Sequence, residues 1–336
     1  MNILAIESSC DETSVSIVKN GVEILALEVA SQIKIHEVFG GVVPEIASRQ
    51  HCEIIDKLTK VCIKKANIDL SNVDCIAVTF APGLVGSLLV GVNYAKGLSF
   101  ALQKPLIAVH HLRSHIAANY LIHKNLKPPF IALIISGGHS NIVEVQNYCK
   151  FKVIAKTQDD AVGEVFDKIA RSLGFTYPGG AKLEKLAKNG NEKAFNLPKP
   201  KVKNSEFDFS FSGLKTAVLN ILNKSKQQKI SINKANLAAS FQLKICEILA
   251  EKIFLAFKKT KLNKLVLAGG VCCNQKICNH IKKIAQNNAI DCFVPEKFLC
   301  QDNAAMVGAQ AFHEFQNKNI AQLNLNAIAN LPIDYN

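Results

Sequence analysis

The stretch Ala108-Val-His-His-Leu-Arg-Ser-His115 puts His111 and His115 four residues apart where the sequence reads as a helix start, so one turn carries both imidazoles onto the same face. Two imidazoles so placed can grip one divalent metal, or they can be two ordinary polar histidines on a helix face. Near the other end, Gln301-Asp302-Asn303-Ala-Ala-Met-Val-Gly308 sets Asp302 at the N-terminus of a small-residue helix, where a carboxylate is either an N-cap or a metal ligand. Glycine turns at Ser136-Gly137-Gly138-His139, Pro178-Gly179-Gly180 and Gly269-Gly270-Val271 each adjoin an apolar strand-like run or a helix start, where bare N–H groups can receive phosphate. A metal beside a phosphate cradle points to nucleotide chemistry.

The elements that must position these groups repeat. Ile3-Leu-Ala-Ile-Glu-Ser-Ser-Cys-Asp-Glu-Thr-Ser-Val-Ser-Ile-Val18 reads strand, polar turn, strand, and Ile131-Ala-Leu-Ile-Ile-Ser-Gly-Gly-His-Ser-Asn-Ile-Val-Glu-Val145 reads the same way. Two such hairpins imply two similar halves, with polar tips facing a ligand in the cleft between them. After the first hairpin come a helix over 46–65, a buried strand over 75–80 and a helix beyond Pro82-Gly83. After the second, Val162, Val165, Phe166, Ile169 and Leu173 recur at helical spacing. Strands alternating with helices make this an α/β chain, expected to divide into 1–115 completed by 305–336, and 116–304.

Composition bounds the partners. With 336 residues and 49% hydrophobic content, the chain can fill two ordinary cores. Lys+Arg exceed Asp+Glu by 40 to 27, a net +13 that favours a polyanion such as nucleic acid or an acidic membrane surface, although with Arg49, Arg113 and Arg171 as the sole arginines a lysine-biased composition would do the same. The eleven cysteines are scattered, with no CxxC pair, and read as small buried residues of a reducing compartment. The N-terminus lacks a basic leader, and the apolar run 77–92 is broken by Pro82, Gly83 and Gly86, so a cytoplasmic protein with no membrane partner is expected. Between Lys182 and Lys229, eleven lysines face only Glu184, Glu192, Glu206 and Asp208, with Phe195, Phe207, Phe209 and Phe211 interleaved. That insertion can follow a nucleic-acid backbone and stack bases, or be a solvated face over a small aromatic cluster.

Glu7-Ser-Ser-Cys-Asp-Glu-Thr13, Gly40-Gly-Val-Val-Pro-Glu45, Ala47-Ser-Arg-Gln-His51, the histidine pair, Ser136-Gly-Gly-His139, Tyr177-Pro-Gly-Gly180, Phe209-Ser-Phe-Ser-Gly-Leu-Lys-Thr216, Ala268-Gly-Gly-Val271 with Asn274, and Asp302-Asn-Ala-Ala-Met306 run the length of the chain in order. Together they resemble the universal tRNA threonylcarbamoyl transferase family, whose members were formerly taken for glycoproteases. The resemblance implies paired ribonuclease-H-like halves of the actin-like, sugar-kinase and heat-shock ATPase superfamily, with an interdomain nucleotide cleft. It implies transfer of the threonylcarbamoyl group from threonylcarbamoyl-adenylate to the exocyclic amine of the adenosine beside the anticodon, in tRNAs reading codons that start with A, releasing AMP. By the same resemblance His111, His115 and Asp302 hold the metal, expected to be Fe2+ with Zn2+ as the alternative. Ile134, Ile135, Ser136, Gly137 and Gly138 cradle the carbamoyl and phosphate part, and Asp167, Gly180, Glu184 and Asn274 hold the nucleoside. Asp11 and Glu12 line the opposite wall. No general base is assigned, and a paralogous non-catalytic subunit and a small ATPase are the implied partners.

Two departures accompany the resemblance: Leu112-Arg113-Ser114 stands where Leu-Glu-Gly is common, and Cys300-Gln301 where Cys-Thr is. Arg113 is expected to weaken metal affinity or favour an anionic substrate. Asp167 lies i, i+4 from Arg171, so a surface ion pair competes with a nucleoside role. A metalloprotease would need a glutamate after the first histidine, where Leu112 stands. The remaining rivals are a metal-dependent small-molecule kinase or carbamoyltransferase on the same fold, and a non-catalytic scaffold, which would be expected to lose the metal ligands.

Overall fold

The computed structural model describes residues 1–335. β1 (Asn2–Glu7), β2 (Glu12–Lys19) and β3 (Glu23–Ser31) pair antiparallel in succession, and the polar tip read at Ser8–Asp11 is the β1–β2 turn. α1 (Ile33–Glu37) and α2 (Pro44–Ala66) follow, the latter opened by a proline whose missing N–H costs nothing at a first helical turn. α2 buries Ala47, His51, Ile55, Thr59 and Cys62, one residue per turn or so, against β2, β3 and α3 (Val85–Leu102). β4 (Cys75–Ala81) lies parallel to β1, and β5 (Leu106–His110) parallel to β4, which gives the sheet order β3-β2-β1-β4-β5. Every residue of β4 is buried, because helices cover both faces of such a strand and each aliphatic side chain so buried contributes about 1.5–3 kcal/mol. α3 is long and apolar enough to cross a membrane by length and composition, yet Leu88, Gly91, Val92 and Ala95 are buried against α2 and β4 as in a core helix. α4 (His111–Ala117) begins directly at the end of β5.

The second sheet repeats this plan. β6 (Phe130–Ile135), β7 (Ser140–Asn147) and β8 (Lys150–Lys156) are successive neighbours; after α5 (Val162–Ser172), α6 (Gly180–Ala187), α7 (Ser212–Gln228) and α8 (Lys234–Thr260), β9 (Lys264–Ala268) joins parallel to β6. α9 (Gln275–Asn287) then leads to β10 (Asp291–Phe293), parallel to β9. Read from its β8 edge the order is β8-β7-β6-β9-β10, the first sheet's order with the numbers changed, so the hairpin echo in the sequence is a repeated topology.

α10 (Lys297–Cys300) and α11 (Ala304–Gln316) close the helical inventory. The chain forms two compact units, one built from Met1–Pro128, Val145–Lys152 and everything described from Pro295 onward, the other from Pro129–Glu144 and Val153–Val294. In the first, α11 packs on α4, β1 and β2. The approach is close: a Cβ on Gly308 would lie 2.6 Å from Val18 Cγ2, so glycine is what lets this helix sit down on the sheet.

Candidate active site

In the first unit β1, β4 and β5 run parallel, and the edge at their C-terminal ends is where an open α/β sheet presents ligand groups. β5 ends at His110, and α4 carries His111 and His115 on one face with ring centroids 4.6 Å apart. Asp302 comes to them from the turn before α11. Its neighbour Asn303 is the N-cap, accepting from Met306 N at 3.1 Å, so Asp302 is released from capping. Asp302 Oδ1 lies 3.1 Å from His115 Nε2 and 3.7 Å from His111 Nε2, and donor atoms of the three residues all fall within 4.8 Å of one another. Metal–ligand bonds of about 2.0–2.2 Å put neighbouring donors roughly 3–3.5 Å apart.

The fit to a metal rests on His115. It is almost wholly buried, yet neither ring nitrogen has a hydrogen-bond partner, so its closeness to Asp302 is proximity without a bond. A buried imidazole left in that state costs free energy unless a ligand meets it. His111 is oriented differently. Its Nδ1 faces Glu7 Oε2 at 3.1 Å and Ser9 Oγ at 3.2 Å, which leaves Nε2 toward Asp302. Glu7, completely buried at the end of β1, is fixed in turn by Thr79 Oγ1 and Ser9 N, each donating at 2.6 Å. A carboxylate so placed behind His111 would, were that ring to ligate a metal, set its tautomer and raise its basicity. The sequence reading did not give Glu7 a role; the signal available was an acid closing an otherwise apolar strand. His51, at the heart of the Ala47–His51 motif, bridges Thr13 Oγ1 (2.7 Å) and Cys10 O (2.9 Å), and burial lowers its pKa. It holds the β1–β2 turn.

Burial disfavours a charged ring at His111, but the Glu7 and Asp302 carboxylates outweigh it and raise the pKa to about 9 in the metal-free protein. Below that pH Nε2 carries a proton that a metal must displace. Metal uptake at pH 7 is therefore expected to release about one proton, and apparent affinity to climb about tenfold per pH unit up to about pH 9. Indicator titration in weak buffer measures this; uptake without proton release would remove His111 from the ligand set.

Arg113 does not offer its charge to the metal. Two residues from each histidine it points to the other side of α4, where Nε donates to Ile333 O (2.9 Å) and Nη2 to Tyr335 O (2.7 Å). Ser114 turns back to the His111 carbonyl (2.7 Å), and Gln301 is exposed.

In the second unit the Ser136–Gly138 and Gly269–Gly270 turns follow the C-terminal ends of the parallel strands β6 and β9, and the Pro178–Gly180 turn joins α5 to α6. Ile134 and Ile135 are wholly buried in β6, so what that segment presents begins at Ser136. Ser136 N donates to His139 O and His139 N to Ser136 Oγ, which closes the tip and leaves Gly137 and Gly138 exposed, with nothing within 4 Å of a Cβ on either. The turn at Pro178–Gly180 differs from its sequence reading. Its amides are not bare, because Asp167 Oδ1 accepts from Gly179 N (2.8 Å) and Gly180 N (3.0 Å), and Asp167 is thereby a turn-holding residue rather than simply a partner for Arg171. Asn274 caps α9 through Ile277 N and receives Gln242 Nε2, while Glu184 Oε1 accepts from Gln275 N at 2.9 Å. Glu184, Gln242 and Gln275 line a cavity of about 290 Å³ together with Lys188 and Lys276.

The lysine-rich insertion is partly an aromatic core. Phe209 and Phe211 are completely buried and stacked on each other at 5.7 Å, and Phe207 lies under Lys259, so these rings are not free platforms for bases. Lys199 pairs with Glu251 and Glu247, whereas Lys201, Lys203, Lys224, Lys226 and Lys229 are exposed.

The model of the tRNA N6-adenosine threonylcarbamoyltransferase family matches residues 23–309. Curated relatives of that name include one from Clostridium beijerinckii, 49% identical over 331 residues and covering 98% of each chain. Another, from Clostridium botulinum strain Kyoto, is 48% identical over 333 residues, covering 99% of this chain and 98% of its own. Among solved structures, HypF from T. kodakarensis superposes with a TM-score of 0.64 at 16% identity, covering 95% of this chain and 48% of that one. The activator of 2-hydroxyisocaproyl-CoA dehydratase from Clostridium difficile gives 0.53 at 14%, covering 95% and 97%. At such identities the likeness is one of fold, and it is the fold of paired halves expected from the sequence.

Proposed function

The chain belongs to the tRNA N6-adenosine threonylcarbamoyltransferase family, and from that premise we propose that it moves the threonylcarbamoyl group of threonylcarbamoyl-adenylate onto the exocyclic amine of the adenosine beside the anticodon, in tRNAs reading codons that start with A. The amine nitrogen bonds to the carbamoyl carbon, the carbon–oxygen bond to phosphate breaks, AMP departs with that electron pair, and the amine loses one proton. The observation that carries the reading is the His111, His115 and Asp302 group, with the unpartnered His115 nitrogens at its centre. Two imidazoles and a carboxylate suit Fe2+, with Zn2+ the alternative, and leave coordination positions open. A metal bound there supplies Lewis acidity toward donor oxygens. Glu7 keeps His111 in the ligating tautomer, and the exposed Gly137–Gly138 turn presents backbone to carbamoyl or phosphate oxygens as charge builds there. Around the second unit's cavity, Glu184 lies in the lining, while Asp167, Gly180 and Asn274 order the turns beside it; these four hold the nucleoside.

The sequence contains no GxxxxGK[ST] loop, so the adenylate is supplied by another enzyme, and a paralogous subunit and a small ATPase complete the working complex. The cytoplasm, where tRNA is modified and free cysteines persist, is the setting. A single-turnover reaction with preformed threonylcarbamoyl-adenylate, unmodified tRNA and those partners tests the function. Modified adenosine is the expected product; a phosphorylated or carbamoylated small molecule instead would favour a kinase or carbamoyltransferase.

For tRNA, Lys201 and Lys203 with Lys224 and Lys226 are among the exposed cations of the insertion, while Lys199 is already paired. Neutralising Lys201 and Lys203 to glutamine is expected to flatten the slope of log affinity against log salt by roughly 0.7–0.9 for each phosphate that the protein no longer neutralises. An unchanged slope in filter binding across salt would make this surface a merely solvated one.

A further inference from the structure

The back of α4 is gripped by the C-terminal segment. His110, the residue before the metal pair, caps this helix: its Nδ1 accepts from Leu112 N at 3.2 Å. With Nδ1 an acceptor, Nε2 carries the hydrogen, and it donates to Leu331 O at 3.1 Å. On the face opposite His111 and His115, the buried Arg113 guanidinium lies 4.0 Å from the centre of the Tyr335 ring and 4.8 Å from that of Phe151, while its Nε and Nη2 hold the carbonyls of Ile333 and Tyr335. Tyr335 also stacks on His110, with centroids 5.5 Å apart and planes 21° off parallel, and Ile333 is 2% exposed. All these residues belong to the first unit. A helix of only seven residues has little stiffness of its own, so what holds its back sets where its ligands stand.

We propose that the segment Leu331–Tyr335, held by His110 and Arg113, is a positioning strap that sets the metal affinity of the His111, His115 and Asp302 site. The proposal rests on the metal reading of that site. Arg113 and Tyr335 act through α4 and touch no reacting group; without them the helix keeps its fold but loses the fixed placement of its two imidazoles. The probe is Co2+, titrated into the full-length metal-free protein and followed by its visible absorption. Arg113→Gln and Tyr335→Ala are each expected to raise the Co2+ dissociation constant about tenfold or more, as losses behind a metal ligand do. Because both break one strap, the double variant is expected to be no worse than the weaker single one. Tyr335→Phe keeps both the ring and the carbonyl that Arg113 uses, and is expected to bind as wild type does. Wild-type affinity in Arg113→Gln and Tyr335→Ala overturns the strap while leaving the metal site standing. Should Arg113→Gln fail to fold, Tyr335→Ala decides alone. A wild-type chain that takes up no Co2+, or a His115→Ala variant that binds equally well, overturns the metal reading and the strap with it.

Discussion

Alanine at His115 is expected to leave a folded protein that holds no metal and transfers the threonylcarbamoyl group about a thousandfold or more slowly, since a Lewis acid supplies several kcal/mol to such a transition state. The imidazole is buried and bonded to nothing that the fold requires, so its removal leaves a small void beside Asp302 and no stranded hydrogen-bond partner. Asp302→Asn should behave alike, because Asn303 and not Asp302 caps α11. Glu7→Gln is the informative companion. It keeps the shape behind His111 but weakens the charge facing Nδ1, for which a loss of about 10–100-fold in metal affinity is expected with most of the fold intact. Metal content by plasma mass spectrometry and the single-turnover rate are the two readings. Full metal occupancy in His115→Ala would dismiss this site.

The second large effect is expected at Gly163. In the first turn of α5 it lies so close to the Ser136–Gly138 tip that an added Cβ would stand 2.6 Å from Ser136 O and 2.9 Å from Gly137 Cα. Both are backbone atoms, so the tip must move rather than a side chain rotate. The bond from Gly163 N to Ser136 O, 3.2 Å long, would go with it. Gly163→Ala should therefore cost about 1–3 kcal/mol of stability and cut the transfer rate steeply by turning the Gly137 and Gly138 amides out of register, while metal content stays at the wild-type level. A thermal melt, a metal assay and the single-turnover rate separate the two parts. An unchanged rate would mean that these amides take no part in the reaction.

The sequence revealed the repeated halves because a strand, a polar tip and a second strand recur, and the apolar runs of β1 and β6 are buried almost without a break in both copies. A helical spacing singled out His111 and His115, the resemblance joined Asp302 to them, and the fold brings donor atoms of the three within 4.8 Å of one another. Which of two adjacent polar residues caps α11 was hidden, because either Asp302 or Asn303 satisfies the same local rule; Asn303 takes the bond from Met306 N. Glu7 was hidden for a different reason, since its partner His111 lies on another strand's extension and only the parallel pairing of β1, β4 and β5 brings them together. Arg113 was misjudged from linear distance. Two residues along a helix is just over half a turn, and the charge faces the tail. The Pro178–Gly180 amides looked bare because their acceptor, Asp167, comes from a neighbouring helix.

The first unit is interrupted in sequence: His111 and His115 precede the whole second unit, and Asp302 follows it. A metal bound by all three would therefore act as a cross-link closing a very long loop of chain, the kind of tie that removes the most freedom from an unfolded polypeptide. During synthesis from the N-terminus, the two histidines emerge well before Asp302, so loading of such a metal would wait until α11 has docked on the β1–β2 sheet. Once loaded, the ion would couple the earliest and latest parts of the fold, and thermal unfolding of the metal-bound protein is expected to depend on free metal concentration.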